Sequence, residues 1–215
     1  MKVTLLCSDF NHPVYPFLRC WQKKYENIFN ILIVSCVDEI KESGDILFLI
    51  SCSEIVEQKT REMFMYTLVL HASDLPDGRG WSPHVWDVIS GKSSLTLSLI
   101  NAEDSVDTGH IWKKENIPLR GTELYDEINS LLFKAEIDLI TWACKNIATA
   151  KSTPQIKRKS NYYRKRTPAD SEVDINKSIK EQFNLLRVCD PERFPAFFEI
   201  KGQRFKLIVE RFDEK

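Results

Sequence analysis

The stretch from Asp45 to Cys52 is almost continuously apolar, and that feature narrows the folds open to the chain more than any other. A strand that is apolar at nearly every residue is buried on both faces, as happens in a parallel sheet covered by helices. The neighbouring segments fit the same plan. Lys2 to Cys7 reads as a first buried strand, and Leu18, Trp21 and Tyr25 then recur at helical spacing. Strand followed by helix suggests a βαβ unit. Ile28 to Val37 supplies a second strand, with Val37 to Lys41 as a short connector. Ser53 to Phe64 is expected to be helical, with Ser53 as its cap and Glu54 and Glu57 in its first turn, where carboxylates suit the helix dipole. The expected fold class is therefore α/β, a Rossmann-like, mostly parallel sheet with helices on both faces.

Thr67 to Gly109 holds most of the recognisable chemistry. Leu68, Val69 and Leu70 deliver His71 to the end of a strand, where a polar loop rich in Gly and Pro begins. α/β proteins present reactive side chains at such places. Pro83 to Ile89 reads as a short helix with Ser82 at its cap and Pro83 at its first position. A strand-like run from Leu95 to Ile100 leads to Asp107 in a second polar loop, and Ile111 and Trp112 look like a further short strand. His71 and Asp107 form a candidate pair, because a carboxylate can orient an imidazole and favour its charged form. Gly78 and Gly80 allow a tight turn beside them. Their spacing matches no phosphate-binding fingerprint, so no nucleotide cofactor is expected from them.

With 215 residues there is room for one good core, or for a main domain with a small appendage. After Pro118 the apolar positions Leu124, Ile128, Leu131, Leu132, Ala135, Leu139 and Trp142 are spaced for one face of a long helix, roughly Gly121 to Ala150. Lys151 to Arg166 then turns polar and basic. The boundary falls here, giving a main domain over 1–150 and a small α+β appendage over 151–215. The appendage is expected to hold a helix at about Asn176 to Val188 and a hairpin of Phe197 to Ile200 and Phe205 to Val209 around Lys201-Gly202-Gln203. Too small for a comfortable core of its own, it should dock on the main domain.

A formal net charge of -1 gives no reason to expect a nucleic-acid or anionic-membrane binder, although local basic patches leave room for specific anionic ligands. No apolar run approaches the roughly 18 residues of a membrane span, and a cytoplasmic location is expected. Cys7, Cys20, Cys36, Cys52, Cys144 and Cys189 show no C-x-x-C spacing, so neither a disulfide framework nor a metal site is signalled.

Three segments in order, His71-Ala72-Ser73-Asp74-Leu75-Pro76, Gly78-Arg79-Gly80-Trp81-Ser82-Pro83 and Val106-Asp107-Thr108-Gly109, resemble the formyltransferases that use 10-formyltetrahydrofolate. The signature of that family is an Asn-x-His-x-Ser-x-Leu-Pro loop, a Gly-containing turn before a helix, and a later Asp-Thr-Gly. Tyr163 to Ser171, followed by Asn184-Leu185-Leu186-Arg187, resembles the substrate-side segment of the nucleotide-sugar N-formyltransferase branch.

The resemblance implies transfer of a formyl group from the cosubstrate 10-formyltetrahydrofolate to the amine of a UDP- or dTDP-linked 4-amino-4,6-dideoxy sugar, for surface glycan synthesis. The alternatives are methionyl-tRNA or a peptide amine as acceptor, or a non-catalytic protein that binds folate or nucleotide. His71 would donate to the tetrahedral oxyanion and Asp107 would orient the imidazole or a water. Cys52, Ser53, Ile55, Ala102 and Asp104 map onto the folate loops. Asn11, His12, Arg79, Trp81, Tyr163, Arg166 and Arg187 are the candidates for the nucleotide sugar, the arginines for its diphosphate. A homodimer is a further family-level expectation, and neither nucleic acid nor membrane is an expected partner. His84 and His110 read as surface or packing residues. The chain departs from the family at Val69, where Asn is usual. Ser51 or Ser53 stands in for that amide, or His71 and Asp107 suffice with backbone donors, or the protein is inactive.

Overall fold

The computed structural model describes residues 1–212. In chain order the first half comprises β1 (Lys2–Leu6), α1 (Tyr15–Tyr25), β2 (Asn30–Val34), β3 (Gly44–Leu49), α2 (Gln58–Arg61), β4 (Phe64–His71), β5 (Arg79–Gly80) and α3 (Pro83–Ile89). The second half adds β6 (Ser94–Asn101), β7 (Ile111–Pro118), α4 (Tyr125–Asn146), β8 (Tyr162–Tyr163), α5 (Ile179–Leu186), β9 (Ala196–Ile200) and β10 (Gln203–Leu207).

Six strands form the central sheet in the order β2-β1-β3-β4-β6-β7, and β6 alone runs against its neighbours. The apolar run of β3 divides between two cores as the period-two geometry of a strand requires. Ile46 and Phe48 enter the larger one, and Leu47 and Leu49 the smaller. The larger core is closed by α1 through Leu18 and Trp21 and by α4 through Leu132, Leu139 and Ile140. The smaller core gathers Leu6, Val34, Val56 and Phe64 and is covered by loop residues such as Val37, Cys52 and Ala102.

The helix expected over Ser53 to Phe64 is a correction, since only the four-residue α2 forms there. Residues 51–57 spend their polar groups on neighbouring loops instead of winding. Ser51 takes a left-handed φ of 47°, Ser53 N donates to Ser8 Oγ at 3.1 Å, and Glu54 accepts from Val37 N at 3.2 Å. Glu57, not Ser53, occupies the cap position. Ser82 does precede α3, but its φ of 46° leaves it without a side-chain capping bond. β7 is longer than the two residues expected, because Lys113, Lys114, Glu115 and Asn116 suit an edge strand that meets water.

The basic segment after α4 is largely exposed but is tied to the sheet domain at two places. Thr153 exchanges two 2.8 Å backbone bonds with Ile111, and Tyr162 and Tyr163 pair in parallel with Arg79 and Gly80. Farther on, the β9–β10 hairpin turns at Lys201 and Gly202, both at positive φ (52° and 76°), as a two-residue hairpin turn demands. Several ion pairs tie the last third of the chain to the sheet domain, among them those of Arg187 and Arg193. Arg187, 2% exposed, meets the Glu123 carboxylate at 3.5 Å and its carbonyl at 3.3 Å, and Arg193 meets Asp9 at 2.8 Å.

Candidate active site

His71 ends β4 and Asp107 lies in the loop between β6 and β7, so two strand ends bring them together. Nδ1 of His71 lies 3.3 Å from Asp107 Oδ1, and both side chains are more than nine-tenths buried. The other ring nitrogen, Nε2, sits 2.9 Å from the carbonyl of Gly78. A neutral imidazole has one N–H and can donate to only one of these acceptors, whereas a doubly protonated ring satisfies both. Asp107 takes a left-handed φ of 58°, a conformation that Asp tolerates better than most residues. Its second oxygen accepts from Gly80 N at 2.9 Å, and its carbonyl accepts from Gln155 Nε2 at 2.9 Å.

The turn Gly78-Arg79-Gly80 thus lies across the pair. The turn itself is held from the far side: Gly78 N donates to Asn161 Oδ1 at 2.7 Å, Trp81 N donates to the Tyr163 carbonyl at 2.9 Å, and β8 pairs with β5. Glycine is required at residue 80, where φ is +98° and a Cβ would sit 2.3 Å from the Tyr163 carbonyl oxygen. Closure of this kind shields the pair from water and strengthens its electrostatics.

Two loops flank the pair on the side of the smaller core, residues 50–57 after β3 and 102–107 after β6. Their floor is apolar, formed by Val69, Cys52 and Ala102, while Ile55 and Val106 stand 81% and 59% exposed, one on each loop. Arg61 clamps both loops, donating to the Val56 carbonyl at 2.8 Å and pairing with the Asp104 carboxylate. Exposed apolar side chains on loops with nearby backbone groups are the kind of surface that suits a flat heterocycle. Val69 is part of that floor, flanked in the sheet by Leu49 and Ile100. Among the described residues no side-chain amide replaces the family's Asn there, and neither Ser51 nor Ser53 hydrogen-bonds His71 or Asp107.

Solved structures share this arrangement of strands. Methionyl-tRNA formyltransferase from Clostridium thermocellum superposes with a TM-score of 0.84 over 99% of this chain and 94% of that chain, at 20% identity. HypX from Aquifex aeolicus in complex with tetrahydrofolic acid gives 0.78 over 97% of this chain and 37% of its own, at 18% identity. A 4-N formyltransferase from Francisella tularensis gives 0.73 over 99% and 98% of the two chains, at 16% identity. The fold is that of the formyltransferases. Sequence similarity supports the same family, with methionyl-tRNA formyltransferases from Clostridium beijerinckii 25% identical over 174 residues and from Ruegeria pomeroyi 29% identical over 148. These matches take in 80% and 68% of this chain but 56% and 48% of the relatives, so the chain spans about half the length of the curated relatives it matches. No protein-family model matches it.

Within this formyltransferase fold the expected substrate residues scatter. Trp81 is exposed beside the turn, with Lys165 4.8 Å from its ring centre. Arg79 donates to Gln155 at 3.0 Å and lines a cleft of about 650 Å³ with Thr108, His110, Lys157 and Arg158. Asn11 is exposed in the first loop, and His12 packs edge-on against Phe133. Burial, then Arg193, holds the His12 imidazole down at about 4 against the opposing pull of Asp9. Two candidates are committed elsewhere. The Tyr163 hydroxyl donates to Asp87 at 2.8 Å and its ring stacks on Trp86, so it anchors the strap to α3. Burial, then that bond, pushes its phenol up to about 12. Arg187 is enclosed with Glu123, where it serves as a structural cation rather than an open phosphate ligand.

Gln155, Asn161, Arg61 and His84 belong to the site region without having been singled out for it. Gln155 and Asn161 bond to partners 48 and 83 residues away, a relation no local pattern carries. His84, beside α3's first residue, is pushed down to about 4 by burial, with His12, Arg166 and His71 adding to the effect. Among the described residues no group of three His, Cys, Asp or Glu side chains is placed to hold a metal ion, and no helix is long and apolar enough to cross a membrane.

Proposed function

We propose that this chain is a sugar N-formyltransferase, moving a formyl group from 10-formyltetrahydrofolate to the amine of a nucleotide-linked 4-amino-4,6-dideoxy sugar. The observation that carries the reading is the buried His71–Asp107 pair, sealed by a Gly-rich turn. Attack of an amine on the formyl carbon builds negative charge on the formyl oxygen. When the carbon–nitrogen bond to folate breaks, a proton must pass from the incoming nitrogen to the leaving one. His71 Nε2, now on the Gly78 carbonyl, is the donor for that oxygen once the turn yields. Asp107 holds the ring through Nδ1 and steadies its positive charge. Cys52, Ser53, Ile55, Ala102 and Asp104 would hold the pterin from the two loops, and Asn11, His12, Arg79, Trp81 and Arg166 would meet the acceptor.

Charge favours a small acceptor over methionyl-tRNA. Many of the basic side chains that could track phosphates are already paired, among them Arg61 with Asp104, Arg158 with Asp77, Arg164 with Asp170 and Arg193 with Asp9. A tRNA needs a broad free basic surface, and the net charge is -1. The sequence relatives named as methionyl-tRNA formyltransferases keep that acceptor as the second reading. The test is incubation with 10-formyltetrahydrofolate and, in parallel, UDP- and dTDP-4-amino-4,6-dideoxy sugars or methionyl-tRNA. Tetrahydrofolate and a sugar heavier by one CO are expected. No turnover across the sugar panel sinks the reading, and turnover on methionyl-tRNA alone replaces it.

A further inference from the structure

The open cleft of about 650 Å³ beside the sealing turn is lined by three cations, an imidazole and no carboxylate. Arg79 comes from β5, His110 from the loop before β7, and Lys157 and Arg158 from the segment after α4. Among the described residues only Arg158 has a carboxylate partner, Asp77, and both side chains of that pair are about half exposed (54% and 44%). An exposed pair of this kind is worth little, so a better anion can displace Asp77. Arg79 meets only the neutral amide oxygen of Gln155, at 3.0 Å. A hollow walled by one sign of charge concentrates ions of the other sign. Gln155 also ties the cleft to the reactive pair, because its Nε2 donates to the Asp107 and Gly109 carbonyls, each at 2.9 Å. A ligand held there touches Thr108, next to Asp107 in the chain, on one side and the turn that covers His71 on the other.

Resting on the sugar-acceptor reading, we propose that this cleft binds a nucleoside diphosphate, the handle by which the acceptor is held. Arg79 and Arg158 each present a planar fork to two phosphate oxygens, and Lys157 brings a point charge to a third. Pro154 and Ile156, the latter 74% exposed, give the base or ribose an apolar wall. The cleft has the volume of a small-molecule site rather than of an ion site, and its positive lining repels a cation. Three cations are also too few for the backbone of a tRNA, which needs a broad basic surface. Anchoring the diphosphate beside the turn leaves the sugar to reach past it toward His71. Binding energy taken from the phosphates then helps to position an amine that has no charge of its own to guide it.

The test is calorimetric binding of UDP, dTDP, inorganic pyrophosphate and uridine to wild type, Lys157→Glu and Lys159→Glu, with tetrahydrofolate as a control ligand. Lys159 is exposed and lies outside the cleft, so its reversal changes the net charge equally without touching the lining. Wild type should bind UDP or dTDP, bind pyrophosphate more weakly, and ignore uridine. Lys157→Glu should weaken diphosphate binding by about tenfold or more, the scale of a lost charged hydrogen bond, while Lys159→Glu moves it by less than about twofold. Acceptor KM in the formylation assay should rise by a like factor in Lys157→Glu. Wild type that binds no diphosphate, equal losses in the two variants, or weakened tetrahydrofolate binding in Lys157→Glu overturns the cleft. Sugars turned over with a KM that Lys157→Glu leaves unmoved overturn the cleft alone and keep the sugar-acceptor reading. Diphosphate binding that depends on Lys157, without turnover of any sugar, upholds the cleft and removes that reading.

Discussion

His71 has an acceptor at each ring nitrogen, a carboxylate at 3.3 Å and a carbonyl at 2.9 Å, so its ring plane is fixed before any substrate arrives. On the proposed function, replacing it with Ala should lower kcat by about 10³-fold, the combined scale of a lost oxyanion donor and a lost proton carrier, with folate affinity retained. Asp107→Asn separates charge from shape. Asn tolerates the left-handed φ of 58° and still accepts from Gly80 N, so the thermal midpoint should hold while kcat falls by about 10²-fold. Steady-state kinetics beside a melting curve reads both. The pair was legible in the sequence because His71 ends a strand and Asp107 stands in the next polar loop, just before Thr108-Gly109. Gln155 and Asn161 were not, because the bonds they make to the Asp107 carbonyl and to Gly78 N span 48 and 83 residues.

Among elements, the strands were easier to read than their coverings. β1, β3, β4 and β6 follow from apolar runs whose pattern is imposed by burial, and α4 from its one-sided spacing. α2 shrank because Ser8, Cys36–Val37 and the 50–57 loop compete for the same polar groups, a contest settled in space rather than along the chain. α5 owes its attachment to a buried ion pair. Glu123 loses solvation there, but backbone donors at Arg120 and Gly121 outweigh that loss and hold its carboxyl down at about 2. The stability that this carboxylate lends to the turn at 120–123 is therefore complete above the ordinary pKa of 4.5 and lost as pH falls toward 2. Arg187→Met removes one partner of that carboxylate, which keeps its bonds from Arg120 and Gly121. The loss of stability, read from denaturant unfolding at neutral pH, should therefore stay below the cost of a buried charge left without partners, about 3–5 kcal/mol.

For the molecule as a whole, the larger core carries one conspicuous cost. Glu136 of α4 is 4% exposed, its Oε2 has no partner among the described residues, and burial pushes its carboxyl up to about 8. An acid with a raised folded-state pKa stabilises fully below its unfolded value of 4.5 and loses that stability as pH rises through 8. Unfolding free energy should fall across that window with a slope of up to about 1.4 kcal/mol per pH unit, and Glu136→Gln should flatten it. The division at residue 150 recognised a change of composition but not the return of 153–163 to the reactive pair, since the bonds that bring it back span 42 to 83 residues. The pairing of β5 with β8 has a consequence in time. Tyr163 must leave the ribosome before the turn at Gly78 can settle, so a nascent chain holds its finished sheet with an unguarded histidine until the strap arrives. A fragment ending before Asn161 should preserve that unfinished stage, with the Trp81 amide exchanging its hydrogen freely while the β3 amides stay protected.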